Sequence, residues 1–215
     1  MASEVDICNM ALSNLGDSAS VSSISPPEGS VQAENCSIFY PQARDSLLEM
    51  HSWNFATKRV RPSAITESGE FADSTTWDYA YPLPADCLTV ISVMDESMND
   101  DYSDPTSTLN YIPRQYQIEI SGDGSKIIRT DIENMELRYV ACIKNTALYS
   151  HLFISALSWH LTALLAGPIL KGETGRKAAL DAEKTMNYFF EKAKGVDTRQ
   201  REVKPKHQVG WINAR

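Results

Sequence analysis

The sequence predicts an α+β protein. It reads as a helical bundle formed by N- and C-terminal helices, with a β-rich insertion and an extended C-terminal arm. Three observations predict this. Helical periodicity is confined to the two ends of the chain, period-two alternation to the middle, and residues 196–215 show no amphipathic period. At 215 residues, with 42% apolar and 22% charged side chains, the chain is neither fully disordered, collagenous nor a coiled-coil rod.

The first helix is predicted over Ser3 to Leu15. Ser3 caps it, Asp6 lies in its first turn, and Val5, Cys8, Leu12 and Leu15 share a face. Gly16 supplies a left-handed stop. A Ser/Pro/Gly-rich loop follows over 17–29, which Val21 and Ile24 can tie down. A second helical stretch runs from Ser30 to His51, with Cys36, Phe39, Tyr40, Ala43 and Leu47 in period. Pro41 sits inside it, so it is either one kinked helix or two abutting ones.

Residues 55–143 change character. Gln115–Ser121 alternates polar and apolar, Gly122-Asp-Gly124 signals a turn, and Lys126–Thr130 follows, which reads as a hairpin. Glu136–Ile143 is a strand with Leu137, Tyr139, Ala141 and Ile143 inward, and Leu88–Val93 is another. Pro82 and Pro84 put Tyr81–Pro84 at an edge or in an extended segment.

Helices return over Ala147–Ala166 and Thr174–Lys194. The second has Ala179, Ala182, Met186, Phe189 and Ala193 on one face and Gly195 as its stop. No Asp, Glu, Lys or Arg occurs between Lys144 and Lys171, long enough for a membrane span. The recurrence of His151, Ser155, Ser158 and Thr162 draws a polar stripe, and Gly167-Pro168 reads as a stop. A buried helix with no membrane role is therefore expected. The parts are residues 1–56 and 146–195 for the helical core, 57–145 for the β-rich insertion, and 196–215 for the arm.

The net charge of −8 is unevenly placed. Residues 62–136 hold 15 acidic and three basic side chains, a net of −12. Residues 196–215 carry Arg199, Arg201, Lys204, Lys206 and Arg215 against Asp197 and Glu202, a net of +3. An acidic middle and a basic end point to two surfaces with different partners. The acidic balance argues against gripping phosphate backbones over the whole surface.

Catalytic and cofactor signatures are missing. Phosphate-binding glycine motifs and the Gly-x-Ser-x-Gly elbow do not occur. The four histidines (His51, His151, His160, His207) and four cysteines (Cys8, Cys36, Cys87, Cys142) lack metal-ligand spacing. Reduced thiols are expected, since no secretory signal opens the chain. Asp95, Ser97, Asn99 and Asp101 alternate like calcium ligands, but Asp100 stands where an EF-hand needs Gly and Thr106 where it needs Glu. Carboxylates that could pair for glycoside cleavage follow no spacing rule. The arm is more informative. Its Arg199, Arg201, Lys204 and Lys206 interleave with Val203, Val209, Trp211 and Ile212, and Pro205 forbids a regular helix. This suits either a disordered terminus or a segment that docks with Trp211 as anchor and the cations as steering charges.

Several blocks together resemble a known family. They are Ile7–Gly16, Tyr40–Ala56, Trp77–Cys87, Leu137–Val140 and Phe153–Leu170, of which Arg44-Asp45 and His51-Ser-Trp-Asn-Phe55 are the most specific. The chain resembles the tail tubular protein A, or head-to-tail adaptor, family of short-tailed bacteriophages over about residues 4 to 195. The resemblance implies a non-enzymatic virion component of the tail or neck, assembled in the host cytoplasm and needing no cofactor. It implies a cyclic homo-oligomer, a dodecamer, joining portal protein to tail nozzle protein, with DNA passing through the channel without specific binding. By the same resemblance the arm (Arg199, Arg201, Lys204, Lys206, Val209, Trp211, Ile212) would reach the portal. Arg44 and Asp45 either bridge neighbouring subunits or solvate a helix face. The rival reading is a tail-associated glycan or peptidoglycan hydrolase.

Overall fold

The computed structural model describes residues 2–65, 76–95 and 114–200. It is α+β and divides into two compact units, Met1–Ala56 with Cys142–Gln200, and Thr57–Ala141. Residues 142–145 thus belong with the helices.

The helical unit contains α1 (Glu4–Asn14), α2 (Val31–Glu49), α3 (His151–Leu170) and α4 (Gly172–Arg199). Ser3 caps α1 as expected. Its hydroxyl accepts from the Asp6 N–H (3.1 Å), and the Asp6 carboxylate accepts from the Ser3 N–H (2.8 Å), a reciprocal capping box. Gly16, at φ +76°, ends the turn. The following loop is pinned by Asn9, whose amide donates to the Val21 carbonyl while its oxygen accepts from the Val21 N–H. Val21 and Ile24 are buried accordingly.

Helix α2 is one helix through Pro41, with the proline on its exposed side. Helix α3 also passes through its proline and runs to Leu170, so the expected stop at Gly167-Pro168 is corrected. A proline clashes with the Cβ of the residue before it, and Gly167 has none. The polar stripe of α3 does not mark a solvent face either, for Ser158 and Thr162 are buried. Their hydroxyls donate back along the helix, Ser158 to the Ser155 carbonyl and Thr162 to the Ser158 carbonyl, and Thr162 also accepts from the Asn14 amide of α1. By length and composition α3 could span a membrane, and half of its apolar window is buried inside the unit.

Helices α3 and α4 form a tight hairpin. A Cβ on Gly175 would lie 2.7 Å from the Ala166 carbonyl oxygen, so only glycine permits that approach. The expected stop at Gly195 is also corrected. Helix α4 continues to Arg199, so residues 196–199 are helix and not arm. Its buried face is Gly175, Ala182, Met186, Phe190, Ala193 and Asp197, with Phe190 in place of the expected Phe189.

The β unit holds two three-stranded antiparallel sheets. One has the order β1 (Thr57–Val60), β6 (Glu136–Ala141), β3 (Cys87–Met94). The other has the order β2 (Tyr79–Pro82), β5 (Lys126–Thr130), β4 (Gln117–Ile120). The β4–β5 hairpin pairs Ile118 with Ile128 and Ile120 with Lys126. Ile127, Ile128, Arg129 and Thr130 are all buried, so the central β5 is covered on both faces. Arg129 is satisfied across the sheet by Glu119 at 2.7 Å. Proline-terminated β2 is an edge strand, as its sequence requires. Strand β1 went unpredicted because Lys58 and Arg59 break any apolar alternation.

Candidate functional site

The block His51–Phe55 leaves the end of α2 and is built into the core of the helical unit. Trp53 is fully buried, and its indole N–H donates to the Leu47 carbonyl at 3.1 Å. Its ring meets Phe153 and Phe190 edge-on, at 5.0 and 5.8 Å between centroids. Phe55 extends the cluster to Tyr149 and Phe153. The polar residues of the block converge on Asp197 of α4. The Asn54 backbone N–H donates to both carboxylate oxygens at 3.1 Å, and the Asn54 amide donates to the Asp197 carbonyl at 2.6 Å. His51 Nε2 lies 3.4 Å from the same carboxylate. His51, at the end of α2, thus has a specific anionic neighbour.

Asp197 itself was missed as a functional position, although a signal for it was present. Positions 182, 186, 190, 193 and 197 continue one helical face across Gly195. The carboxylate replaces an apolar residue there because it has backbone and side-chain donors to accept from.

A second buried cluster surrounds Arg44. Its Nε donates to Asp45 Oδ1 at 2.7 Å and its terminal nitrogen to Cys142 Sγ at 3.4 Å. The Cys142 thiol donates to the same Asp45 oxygen at 3.3 Å. Burial is the largest single influence and works against the Arg44 charge, yet the hydrogen bond and charge of Asp45, with Cys142 and Tyr149 nearby, together outweigh it and hold its pKa above the usual value. The Arg44 side chain is only 7% exposed, so it does not solvate a helix face; Asp45, at 36%, is the accessible member of the pair. Burial and the bond to Asp45 push the Cys142 thiol up, opposite to what a nucleophilic cysteine needs. The Tyr40 hydroxyl, one helical turn before Arg44, is buried without a hydrogen-bond partner among the described residues.

Among the described residues, Ser46 and His160 form the one contact that resembles a nucleophile and its base, with Oγ and Nε2 at 2.9 Å. Ser46 Oγ also lies 3.1 Å from the Ala43 carbonyl, so its hydroxyl has two acceptors within reach and the imidazole tautomer sets the direction of the His160 contact. Burial lowers the His160 pKa, against the opposing field of Glu183. The contact ties α2 to α3, and among the described residues no hydrogen bond from a third group orients the imidazole as in a catalytic triad. The four thiols are free, and Cys8 and Cys36 are wholly buried. Their mutual hydrogen bond and burial push the Cys8 thiol up. Among the described residues no group of three or more metal-ligating side chains converges.

In the β unit a cleft of about 380 Å³ opens between β3 and β4. Leu83, Leu88 and Val90 line it with Tyr116, Ile118 and Ile120. Ile118 and Ile120 are 47% and 69% exposed. The period-two alternation identified this strand but not its outward-facing isoleucines, because a pattern does not reveal which strand lies at a sheet edge.

Arg199, the last residue of α4, is exposed. Arg201, Lys204, Lys206, Val209, Trp211 and Ile212 lie outside the described residues, as does the acidic stretch beyond Asp95. No family model matches the chain, and no curated protein matches it.

Proposed function

We propose that this chain is a structural head-to-tail adaptor of a short-tailed bacteriophage, a ring-forming subunit between portal and nozzle that continues the DNA channel. The observation that carries this reading is the use made of the block most specific to the resemblance. His51, Trp53, Asn54 and Phe55 lock α2 against α4, so the resemblance falls on residues that hold a shape and not on residues that present chemistry. Asp45 is the half-exposed carboxylate available for a neighbouring subunit. The acidic segment 62–136 facing the channel would repel phosphates and let DNA slide, whereas a strongly basic lumen would refute that role. Glycan hydrolysis is less favoured. A general acid needs a raised pKa, and each described carboxylate with a displaced pKa (Asp6, Asp17, Glu28, Asp86, Asp123) is displaced downward by hydrogen bonds from its neighbours.

Electron microscopy of the purified chain with its portal tests the reading. A closed ring bound beneath the portal is expected; location of the chain anywhere but the collar of intact virions overturns it. Portal attachment by the C-terminal segment is tested by truncation after Gln200. A cut at 196 would also remove Asp197 and so confuse loss of attachment with loss of fold.

A further inference from the structure

Among the described residues the two sheets of the β unit present four edge strands, and three of them carry devices that discourage pairing with another strand. Strand β1 holds exposed Lys58 and Arg59. Strand β2 ends in Pro82. Strand β3 is broken by register shifts at Cys87/Thr89 and Val90/Ser92. Strand β4 has none of these. Its sequence is Gln117-Ile-Glu-Ile120, both isoleucines reach solvent, and both line the cleft. A short edge strand that, among the described residues, lacks those three devices and lies beside an apolar cleft fits the geometry of strand addition, in which main-chain bonds extend the sheet and alternate side chains enter a pocket. The cleft volume is near the lower end for ligand pockets and suits a few side chains.

We propose that β4 and its cleft receive the C-terminal segment of this chain, residues 201–215. Three features of that segment select it. Val209 and Trp211 are two apart, so an extended backbone points both toward one face, with the indole as the anchor. Gly210 between them leaves no side chain to obstruct the opposite face. The segment also carries a net +3, from Arg201, Lys204, Lys206 and Arg215 against Glu202. It would meet a region with a net of −12 over residues 62–136, in which Asp123 sits in the β4–β5 turn, while at the cleft itself Glu119 is paired with Arg129 and Lys126 adds one positive charge. Fifteen extended residues span about 50 Å, so attachment at Gln200 does not confine the segment to the helical unit. Pro205 is tolerated because the strand added is itself an edge. The inference concerns the isolated chain and does not rest on the portal reading.

A photo-crosslinking residue at position 120 of the full-length chain tests this, since Ile120 is exposed and its replacement leaves the core intact. The mapped crosslinks are expected within residues 203–213 and to fall at least about tenfold in a Trp211→Ala background. Crosslinks confined to β4 of a second copy, crosslinks to other segments, or none at all overturn the proposal. Tryptic cleavage after Lys206 gives an independent reading. Ile120→Lys should accelerate it about tenfold while circular dichroism remains that of the parent chain; an unchanged rate in that folded variant also overturns the proposal.

Discussion

The two units bury their polar groups to different extents. In the helical unit, the Tyr40 hydroxyl apart, the polar side chains described above that penetrate the core are tied to partners. Asp197 holds Asn54 and faces His51, Arg44 holds Asp45 and Cys142, and Thr162 joins α3 to Asn14. In the β unit the buried Arg129 of the central strand pairs with Glu119, while Lys58–Asp86, Arg59–Glu136 and Arg61–Glu136 lie near the surface and Ile118 and Ile120 of β4 are exposed. Exposed pairs of this kind contribute little to stability. The difference teaches that the described polar contacts of the helical unit lie mostly inside it, while those of the β unit lie mostly at its surface. Substitutions should therefore be costly at the first set of sites and mild at the second.

The largest effect is expected at Trp53. Truncation to alanine removes a fully buried indole, its hydrogen bond to Leu47 and its edge contacts to Phe153 and Phe190. Trp53→Ala should cost about 3–5 kcal/mol in denaturant unfolding. Lys58→Ala, which breaks an exposed pair with Asp86, should cost less than about 1 kcal/mol. Comparable losses for the two variants would erase the contrast between the units.

Asp197 comes next. Asp197→Ala leaves the Asn54 backbone N–H without its acceptors and should cost about 1–3 kcal/mol. Asp197→Asn retains an acceptor oxygen and should recover part of that loss. Equal destabilisation by both would mean that packing, and not the hydrogen bonds, holds the end of α4.

A smaller, pH-dependent effect belongs to His160. Its folded pKa is depressed below 6.5 by burial, so the folded chain favours the neutral imidazole. As the pH falls below about 6.5 the unfolded chain takes up that proton first, and stability is lost progressively. The wild-type midpoint should therefore drop between about pH 7.5 and 5.5 by more than that of His160→Gln. His51 beside Asp197 is present in both proteins, so the difference isolates His160. Parallel profiles would remove the buried imidazole from the account.

Much of this organisation is legible in the sequence where the signal is local. The Ser3 cap, the β4–β5 hairpin, the inward residues of β6 and the α+β order all follow from spacing within a few residues. The errors at Gly167-Pro168 and Gly195 arose where a local breaker is outweighed by tertiary contacts that a window of sequence does not contain. Asp197 is held by Asn54, 143 residues away, and that bond keeps the last turn of α4 closed past Gly195. The Arg44 cluster was half legible. Asp45 is adjacent in sequence, but Cys142, which occupies the other side of the guanidinium, is 98 positions away. The cleft escaped entirely, because edge position is a property of the sheet and not of the strand.

The smallest effect tests how the helical unit turns its one tight corner. Lys171 joins α3 to α4 at φ +54°, ψ 163°, a backbone region that a side chain disfavours and glycine enters freely. The conformation is imposed by its surroundings. Lys171 donates its N–H to the Gly167 carbonyl, and α4 must approach closely enough that Gly175 faces the Ala166 carbonyl. Lys171→Gly relieves the strain but adds freedom to the unfolded chain, and the two oppose each other. A net gain of about 0.5–1 kcal/mol is expected, read as a rise in the unfolding midpoint. Gly175→Ala should instead destabilise, since its new methyl meets backbone that cannot move without shifting α3. If both substitutions proved neutral, the hairpin would have room to relax, and the rigidity ascribed to the helical unit would not extend to this end of it.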